Sequence, residues 1–180
     1  MPPWLPHIIS YQKNEANIFS RNWVQLATVS FDNTPRVRTV VFRGWTDSCE
    51  MKILTDKRSQ KFSELQSNNK VEICWLFPNS KCQFRFGGSA IVDEGIDTSY
   101  HWDRLDDTTK SMWGWPSPGT ELQIDKKQNN FIYNDSIALD NFILLKINII
   151  HVDQLILTKP IHLRKRWIKK KLWIEESINP

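Results

Sequence analysis

The sequence is short of cysteine and glycine, and it contains no long apolar run. Its 180 residues include three cysteines, an odd number without C-x-x-C spacing, so neither a disulfide framework nor a zinc or other metal site is expected. The longest apolar run, residues 142–150, is interrupted by a lysine and an asparagine and is too short to cross a bilayer. The N-terminus lacks the residue order of a signal peptide. These features predict a cytoplasmic protein without a membrane span.

The net charge of +4 is concentrated in one segment of the chain. Residues 159–171 are rich in Lys and Arg and contain no acid, whereas the remaining residues include more acidic than basic side chains. A nucleic-acid adaptor built on this segment would also need stacking aromatics, and only Trp167 and Trp173 qualify. Nucleic acid is therefore not expected as a partner, and a solvated strand edge explains residues 169–171 better.

The order of apolar and polar residues predicts a mainly β protein with a single domain, residues 1–180. The predicted helices are residues 7–20, 56–68 and 97–112. The predicted strands are residues 23–30, 36–43, 50–55, 71–77, 81–92, 142–151, 154–158 and 166–174. Nine Trp and nine Phe indicate either a large aromatic core or a site that stacks flat ligands. Mostly antiparallel strands with inserted helices predict a small barrel flanked by helices.

The first candidate site is the strand formed by residues 36–43. On a strand, Arg36 and Arg38 share one face, and Arg43 lies on the other. Three arginines on one short apolar strand need anions or solvent. The plainer interpretation is an edge strand that charge protects from further pairing.

The second candidate site, residues 55–61, lies at a strand-to-helix junction with the sequence Thr-Asp-Lys-Arg-Ser-Gln-Lys. Hydroxyls, cations and free backbone N–H groups converge there, which is typical of a phosphate site. An ordinary helix start capped by Asp56 or Ser59 explains the same residues equally well.

The third candidate site lies in the predicted strand pair of residues 71–78 and 83–88. Gln83 is a neutral donor and acceptor among apolar and charged residues. Such an amide could bind the carbonyl and ring-nitrogen edge of a flat heterocycle. Without a ligand, Gln83 would be an exposed residue on a core strand pair.

Together these segments resemble the pyridoxamine 5′-phosphate oxidase family of split β-barrels that bind flavin mononucleotide (FMN), in particular its oxidase-related subgroup. The segments that carry the resemblance are residues 26–29, 35–44, 55–61, 72–78 and 83–85, with further likeness at residues 113–119, 164–167 and 173–180. The resemblance covers nearly the whole chain. It implies an antiparallel split barrel of Greek-key type with flanking helices, FMN as the cofactor, and a homodimer with the flavin between the subunits.

The resemblance also implies which residues bind the cofactor. They are Arg38, Thr39, Val40, Val41, Arg43, Leu54, Thr55, Arg58, Ser59, Lys61, Gln83 and Arg166. Arg38, Ser59 and Lys61 would hold the phosphate, and residues 39–43 would follow the flavin and its ribityl chain. Gln83 would contact the edge of the flavin ring, and Arg166, at the position of a C-terminal flavin-contacting arginine, would complete the site.

The phosphate loop departs from that of the authentic oxidases. They carry Ser-Arg-Lys, whereas this chain has Ser59-Gln60-Lys61, with Arg58 before the serine. We expect Arg58 to supply the missing phosphate charge, because a flexible guanidinium can approach the same anion from either side of Ser59.

The substrate site departs further. The oxidases hold substrate with Arg-x-His near the C-terminus, and here the order is reversed, with histidine before arginine. A Tyr-x₃-Arg-x₃-Ser pattern is echoed only loosely, with threonine in the last place. The candidate substrate residues are Arg43, Tyr100, Arg104, His162 and Arg164.

The function implied by the resemblance is that of an FMN-dependent oxidoreductase. Pyridoxamine 5′-phosphate, or a related phosphorylated amine, is the first substrate to test. Because the flavin supplies the redox chemistry, no protein side chain is assigned as catalytic. The alternative is a non-catalytic FMN-binding or storage protein.

Overall fold

The computed structural model describes residues 1–93, 95–121 and 139–180. The helices are α1 (Leu5–Asn14), α2 (Ile18–Asn22), α3 (Gln60–Ser67), α4 (Ile96–Asp103) and α5 (Asp107–Ser111), followed by a 3₁₀ turn at Met112–Gly114. The strands are β1 (Trp23–Val29), β2 (Pro35–Trp45), β3 (Met51–Asp56), β4 (Lys70–Phe77), β5 (Cys82–Asp93), β6 (Phe142–Ile156), β7 (Leu163–Lys169) and β8 (Trp173–Ile178). Within these ranges no helix is long and apolar enough to span a membrane.

The strands form one antiparallel sheet in the order β3-β2-β1-β4-β5-β6-β7-β8. An additional pairing between β3 and β6 closes the first six of these strands into a barrel, and β7 and β8 extend beyond it. Because β4 lies beside β1, strands β1 to β4 form a Greek key. The predicted mainly β barrel with flanking helices is confirmed.

Aromatic side chains fill much of the barrel. Trp75, Phe77, Phe84 and Phe86 are fully buried, and alternation along β4 and β5 directs them to one face. From the start of the chain, Trp4 adds a fully buried ring that contacts Phe86, Trp45 and Trp173. Burying each such side chain stabilises the fold by about 1.5–3 kcal/mol relative to exposure. The heavy aromatic content therefore serves the core.

The single helix predicted for residues 7–20 is wrong, because polar contacts at residues 15–17 end one helix and begin another. Arg21 donates from Nε and Nη2 to the Glu15 carbonyl at 3.0 and 2.8 Å. The Asn17 side chain then accepts from the backbone amides of Phe19 and Ser20, so it caps the start of α2.

Three further boundaries differ from the prediction. Residues 142–151 and 154–158 were predicted as two strands, but β6 is continuous through Asp153. The strand predicted at residues 166–174 is two strands, β7 and β8, joined by a turn in which the Lys170 amide donates to Leu172 O at 3.0 Å. The helix predicted at residues 97–112 is divided into α4 and α5, and Asp106 caps the second. The loop predicted at residues 120–140 lies mostly outside the described residues.

Candidate functional site

The first group of predicted site residues lies where β1, β2 and α3 meet. Arg38 Nη2 binds Oε2 of Glu64 at 2.8 Å, and the Glu64 carboxylate is fully buried. The same Oε2 accepts from Thr28 Oγ1 at 2.5 Å, and Thr28 also receives a hydrogen bond from Arg38 Nη1. Since two partners hold it in place, the guanidinium is fixed on the inward face of β2.

Lys61 and Thr55 complete this group, together with Ser59. Lys61 Nζ donates to Thr55 Oγ1 at 3.0 Å. Burial lowers the pKa of Lys61, and the nearby charge of Arg38 lowers it further, while Asp56 and Glu64 act in the opposite direction. We call the following residues the Arg38 cluster: Thr28, Arg38, Thr55, Ser59, Lys61 and Glu64. Two cations close enough to influence one another, beside hydroxyl groups, favour an anion.

The start of α3 fits a phosphate for a second reason. Ser59 is the N-cap residue of α3, but its side chain makes no cap hydrogen bond. Its hydroxyl donates to Asp56 O at 2.6 Å instead. The amides of the first turn therefore gain no side-chain acceptor from Ser59, and such amides bind anions well. One oxygen of Glu64, Oε1, is also buried without a hydrogen-bond partner among the described residues.

Arg58 lies next to this cluster, but its guanidinium is bound elsewhere. It donates to both carboxylate oxygens of Asp56, at 3.1 and 2.7 Å. It also donates to the backbone oxygens of Trp113 and Trp115, at 2.9 and 2.7 Å. The expectation that Arg58 binds phosphate stays a prediction, and these contacts compete with it.

The predicted flavin-binding strands present different faces. On β2, Thr39 and Arg43 are exposed and Val41 is half-buried, whereas the Val40 side chain lies in the core. On β3, Leu54 packs against the aromatic pair Trp102 and Phe142, and so does Trp113.

Two of the predicted substrate residues, Tyr100 and Arg104, are in contact at α4. The Arg104 guanidinium lies 4.2 Å from the Tyr100 ring centroid. Burial lowers the pKa of His101, and the charges of Lys52, Arg43 and Arg104 add to this effect against that of Asp97. His101 Nε2 is buried without a partner in the described part of the chain. A neutral imidazole therefore lies among three cations, where an anion would be favoured.

A second group of arginines surrounds one buried carboxylate on β6. We call it the Asp153 cluster, and its members are Arg85, His151, Asp153, Arg164 and Arg166. Asp153 Oδ2 lies 2.9 Å from Arg85 Nη2, 3.3 Å from His151 Nε2 and 3.5 Å from Arg164 Nη2, and Oδ1 lies 3.3 Å from Arg166 Nε. Burial alone would raise the pKa of Asp153, but His151 and the three arginines together hold it below its ordinary value.

Gln83 borders this cluster. A cavity of about 140 Å³ is lined by Gln83, Arg85, Asp153, Leu155 and Arg164. The structure thus brings together Gln83, Arg164 and Arg166, which the sequence had assigned to flavin and substrate. The exposed ring of His162 lies 3.1 Å from Thr158 O through Nδ1.

The basic segment at residues 159–171 is partly neutralised inside the fold. Arg164 and Arg166 bind Asp153, and Lys165 Nζ binds Glu175 Oε1 at 2.7 Å. The exposed residues 169–171 lie at the turn between β7 and β8. Much of the segment therefore serves internal ion pairs.

Sequence reasoning missed the buried acids at the centres of the two clusters, Glu64 and Asp153. Glu64 lies in the predicted helix beside Phe62 and Leu65. An acidic residue on that apolar face was the one sign in the sequence that could have identified it. Asp153 was taken as a break between strands. Its register beside Arg85 on β5 and Arg166 on β7 becomes visible only in the folded sheet.

Comparisons with known proteins show what this chain is similar to. The family profile described as pyridoxamine 5′-phosphate oxidase, FMN-binding domain, matches residues 1–94. A pyridoxine/pyridoxamine 5′-phosphate oxidase 2 from Arabidopsis thaliana is 26% identical over 192 residues, which cover 99% of this chain and 97% of that protein.

Solved structures show the same fold. A pyridoxamine 5′-phosphate oxidase-related, FMN-binding protein from Nostoc punctiforme is 30% identical, with a TM-score of 0.86, over 100% of this chain and 99% of that chain. PhzG from Burkholderia lata, solved with tetrahydrophenazine-1-carboxylic acid, has a TM-score of 0.80 over 98% of this chain and 89% of that chain. At 15% identity, PhzG supports the fold alone.

We predict that Asp153→Asn destabilises the protein in a pH-dependent way. At pH 7 the free energy of unfolding should fall by about 2 kcal/mol, which is below the roughly 3–5 kcal/mol of a fully buried pair because the arginines remain partly exposed. A carboxylate whose pKa is lowered by folding stabilises the folded protein at pH values above its ordinary pKa, which is near 4. This stabilisation is lost as the pH falls through the pKa of the folded state. Urea unfolding between pH 7 and pH 3 should show that the difference in unfolding free energy between wild type and Asp153→Asn becomes smaller only below about pH 4. Asp47→Asn, on the surface, is the control, and a difference that is constant over this range would contradict the electrostatic origin.

Proposed function

Because the chain belongs to the pyridoxamine 5′-phosphate oxidase family and carries its FMN-binding domain, we propose that it is an FMN-dependent oxidoreductase acting on a small phosphorylated amine. The observation that carries the proposal is the Arg38 cluster, where two cations, three hydroxyls and a helix start favour a phosphate ester. The residues present fit the phosphate of FMN. When bound, FMN supplies the two-electron redox chemistry.

In this proposal Arg38 and Lys61 hold the cofactor phosphate, and Ser59 adds a hydroxyl. Glu64 orients Arg38, since its carboxylate accepts from both the guanidinium and Thr28. The isoalloxazine and ribityl chain follow β2 and β3, along Thr39 to Arg43 and Leu54 to Thr55.

A phosphorylated substrate is supported by the cations at α4. Arg43, Lys52 and Arg104 act on the pKa of His101 from one neighbourhood, beside the strands proposed for the flavin. A second phosphate there would be separate from the one at Arg38. Tyr100 holds Arg104 in place by a cation–π contact.

The proposal includes a homodimer with shared sites. In this arrangement, which the family likeness implies, a flavin held by Arg38 of one protomer is contacted by Gln83 and Arg166 of the partner subunit. Exposed Trp23 and Val37 on the outward face of β1 and β2 suit burial against that subunit.

A non-catalytic FMN-binding protein is the second candidate, and one observation favours it. Two predicted substrate residues are engaged within their own chain, because Arg164 Nη2 lies 3.5 Å from Asp153 Oδ2 and the His162 ring faces Thr158 O. Side chains held by such contacts favour a protein that keeps FMN without turning over a substrate.

We expect the purified protein to show a flavin absorption spectrum, and pyridoxamine 5′-phosphate to bleach it in the absence of oxygen. Pyridoxamine without the phosphate, at equal concentration, is the control. It should bleach the flavin far more slowly, because Arg43, Lys52 and Arg104 would have no substrate phosphate to bind. Bound flavin that no phosphorylated amine reduces would support the non-catalytic protein instead.

We predict that Arg38 dominates recognition of the cofactor phosphate. Arg38→Ala alone would leave the Glu64 carboxylate buried without its cation, so the informative variant is Arg38→Gln combined with Glu64→Gln. FMN affinity should fall about ten- to a hundredfold, as expected for a charge-assisted contact of roughly 1.5–3 kcal/mol. Glu64→Gln alone keeps Arg38 and should retain FMN. Fluorescence titration measures both, and wild-type affinity in the folded double variant would remove Arg38 from the site.

We predict that two defective chains complement each other. The Arg38→Gln, Glu64→Gln chain and an Arg166→Ala chain should each bind FMN weakly and migrate as dimers in sedimentation experiments. After unfolding and refolding together, about a quarter of the sites should regain wild-type affinity, because each mixed dimer contains one intact site. In separate thermal unfolding experiments, the melting temperature of the wild-type protein should rise with added FMN. A mixture that binds no better than its components would contradict the shared site.

A further inference from the structure

Arg58 makes contacts that a role in phosphate binding does not require. Its Nε and Nη2 bind the two carboxylate oxygens of Asp56, which forms a planar fork on one side. On the other side, Nη2 donates to Trp113 O at 2.9 Å and Nη1 donates to Trp115 O at 2.7 Å. All three nitrogens of the guanidinium are therefore bound to the protein itself.

The segment that Arg58 holds, residues 112–116, is called here the Trp loop. Trp113 Nε1 donates to Thr55 O at 3.1 Å, and the Trp113 ring lies 4.9 Å from that of Phe142. Asn141 Nδ2 donates to the same Trp113 oxygen that Arg58 binds, at 2.9 Å. The loop thus borders the part of β3 that the proposed flavin would contact.

The charge of Arg58 is also compensated locally. The Asp56 carboxylate lies 2.7 Å from Arg58 Nη2, and both side chains are mostly buried. To reach a phosphate at the Arg38 cluster, the guanidinium would have to leave an ion pair and two carbonyl oxygens. Arg38 and Lys61 already supply two cations there.

From these contacts we infer that Arg58 is a positioning residue, which fixes the Trp loop against β3 and so presents half-exposed Trp115 beside the flavin. Arg58 therefore strengthens binding of the isoalloxazine and ribityl portion of FMN, whereas Arg38 and Lys61 bind the phosphate. The inference rests on the proposed function, because it assumes that FMN lies along β2 and β3.

The test compares FMN with riboflavin, which lacks the phosphate. Dissociation constants of both ligands are measured on apoprotein by fluorescence titration. Arg58→Ala should weaken both by roughly tenfold, equivalent to about 1.4 kcal/mol, and leave their ratio unchanged. Lys57→Ala, which removes the same charge from an exposed neighbour, should change neither. Arg38→Gln with Glu64→Gln should lower the preference for FMN over riboflavin.

Two results would overturn the inference. A loss confined to FMN in Arg58→Ala would make Arg58 a phosphate ligand, and unchanged affinity for both ligands would show that the contacts to the Trp loop do not serve binding. Arg58→Lys separates geometry from charge, because an ammonium keeps the charge but cannot form the fork. It should remain weak for both ligands, and full recovery of FMN affinity would point to charge alone.

A readout without flavin separates this inference from the proposed function. Chymotrypsin should cleave the Trp113–Gly114 bond of the apoprotein faster in Arg58→Ala than in wild type or Lys57→Ala, because the loop has lost two of its anchors. Mass spectrometry of the fragments identifies the bond. Faster cleavage in a protein that binds no flavin would uphold the anchoring of the loop and reject the FMN site, whereas equal cleavage rates would reject the anchoring.

Discussion

Closure of the barrel by β3 and β6 is the constraint on which the rest of the structure depends. The pairing runs from Met51 opposite Ile147 to Asp56 opposite Phe142. It removes two exposed strand edges, and it brings Asn141 beside the loop after β3, where the Lys57 amide donates to Asn141 O at 2.8 Å. The phosphate loop and the Trp loop therefore share one support. Because β6 continues to Ile156, the same strand also carries Asp153.

Two buried carboxylates organise the basic residues of the chain. Glu64 holds Arg38 at one site, and Asp153 holds three arginines and a histidine at the other. Clusters of cations repel one another unless an acid lies among them, and a buried ion pair contributes little net stability because desolvation offsets the attraction. The two acids are therefore best understood as orienting groups, which leave cations in fixed positions where an anionic ligand can meet them.

The strands and their pairing into a barrel could be predicted from the sequence, whereas several boundaries could not. Alternation along β1, β2, β4 and β5 directs one row of side chains to the core, and that pattern is local. The interruption at Glu15 depends on Arg21, six residues away, which binds the Glu15 carbonyl. Asp153 made β6 look like two strands, because a lone acid in an apolar run suggests a break unless its partners are known.

The sequence by itself determined the family and the cofactor, because these depend on side chains that are close along the chain, such as residues 35–44 and 55–61. Only the tertiary structure decided which of those side chains are available. Arg58 and Lys61 are three residues apart in one motif, yet Arg58 binds Asp56 and the Trp loop while Lys61 lies with Thr55 and Arg38. The partners that separate them come from residues 113–115 and from β2, and no local pattern encodes contacts across such distances. The same reason hid Glu64 and Asp153, since a buried acid is recognised by the cations that the fold brings to it.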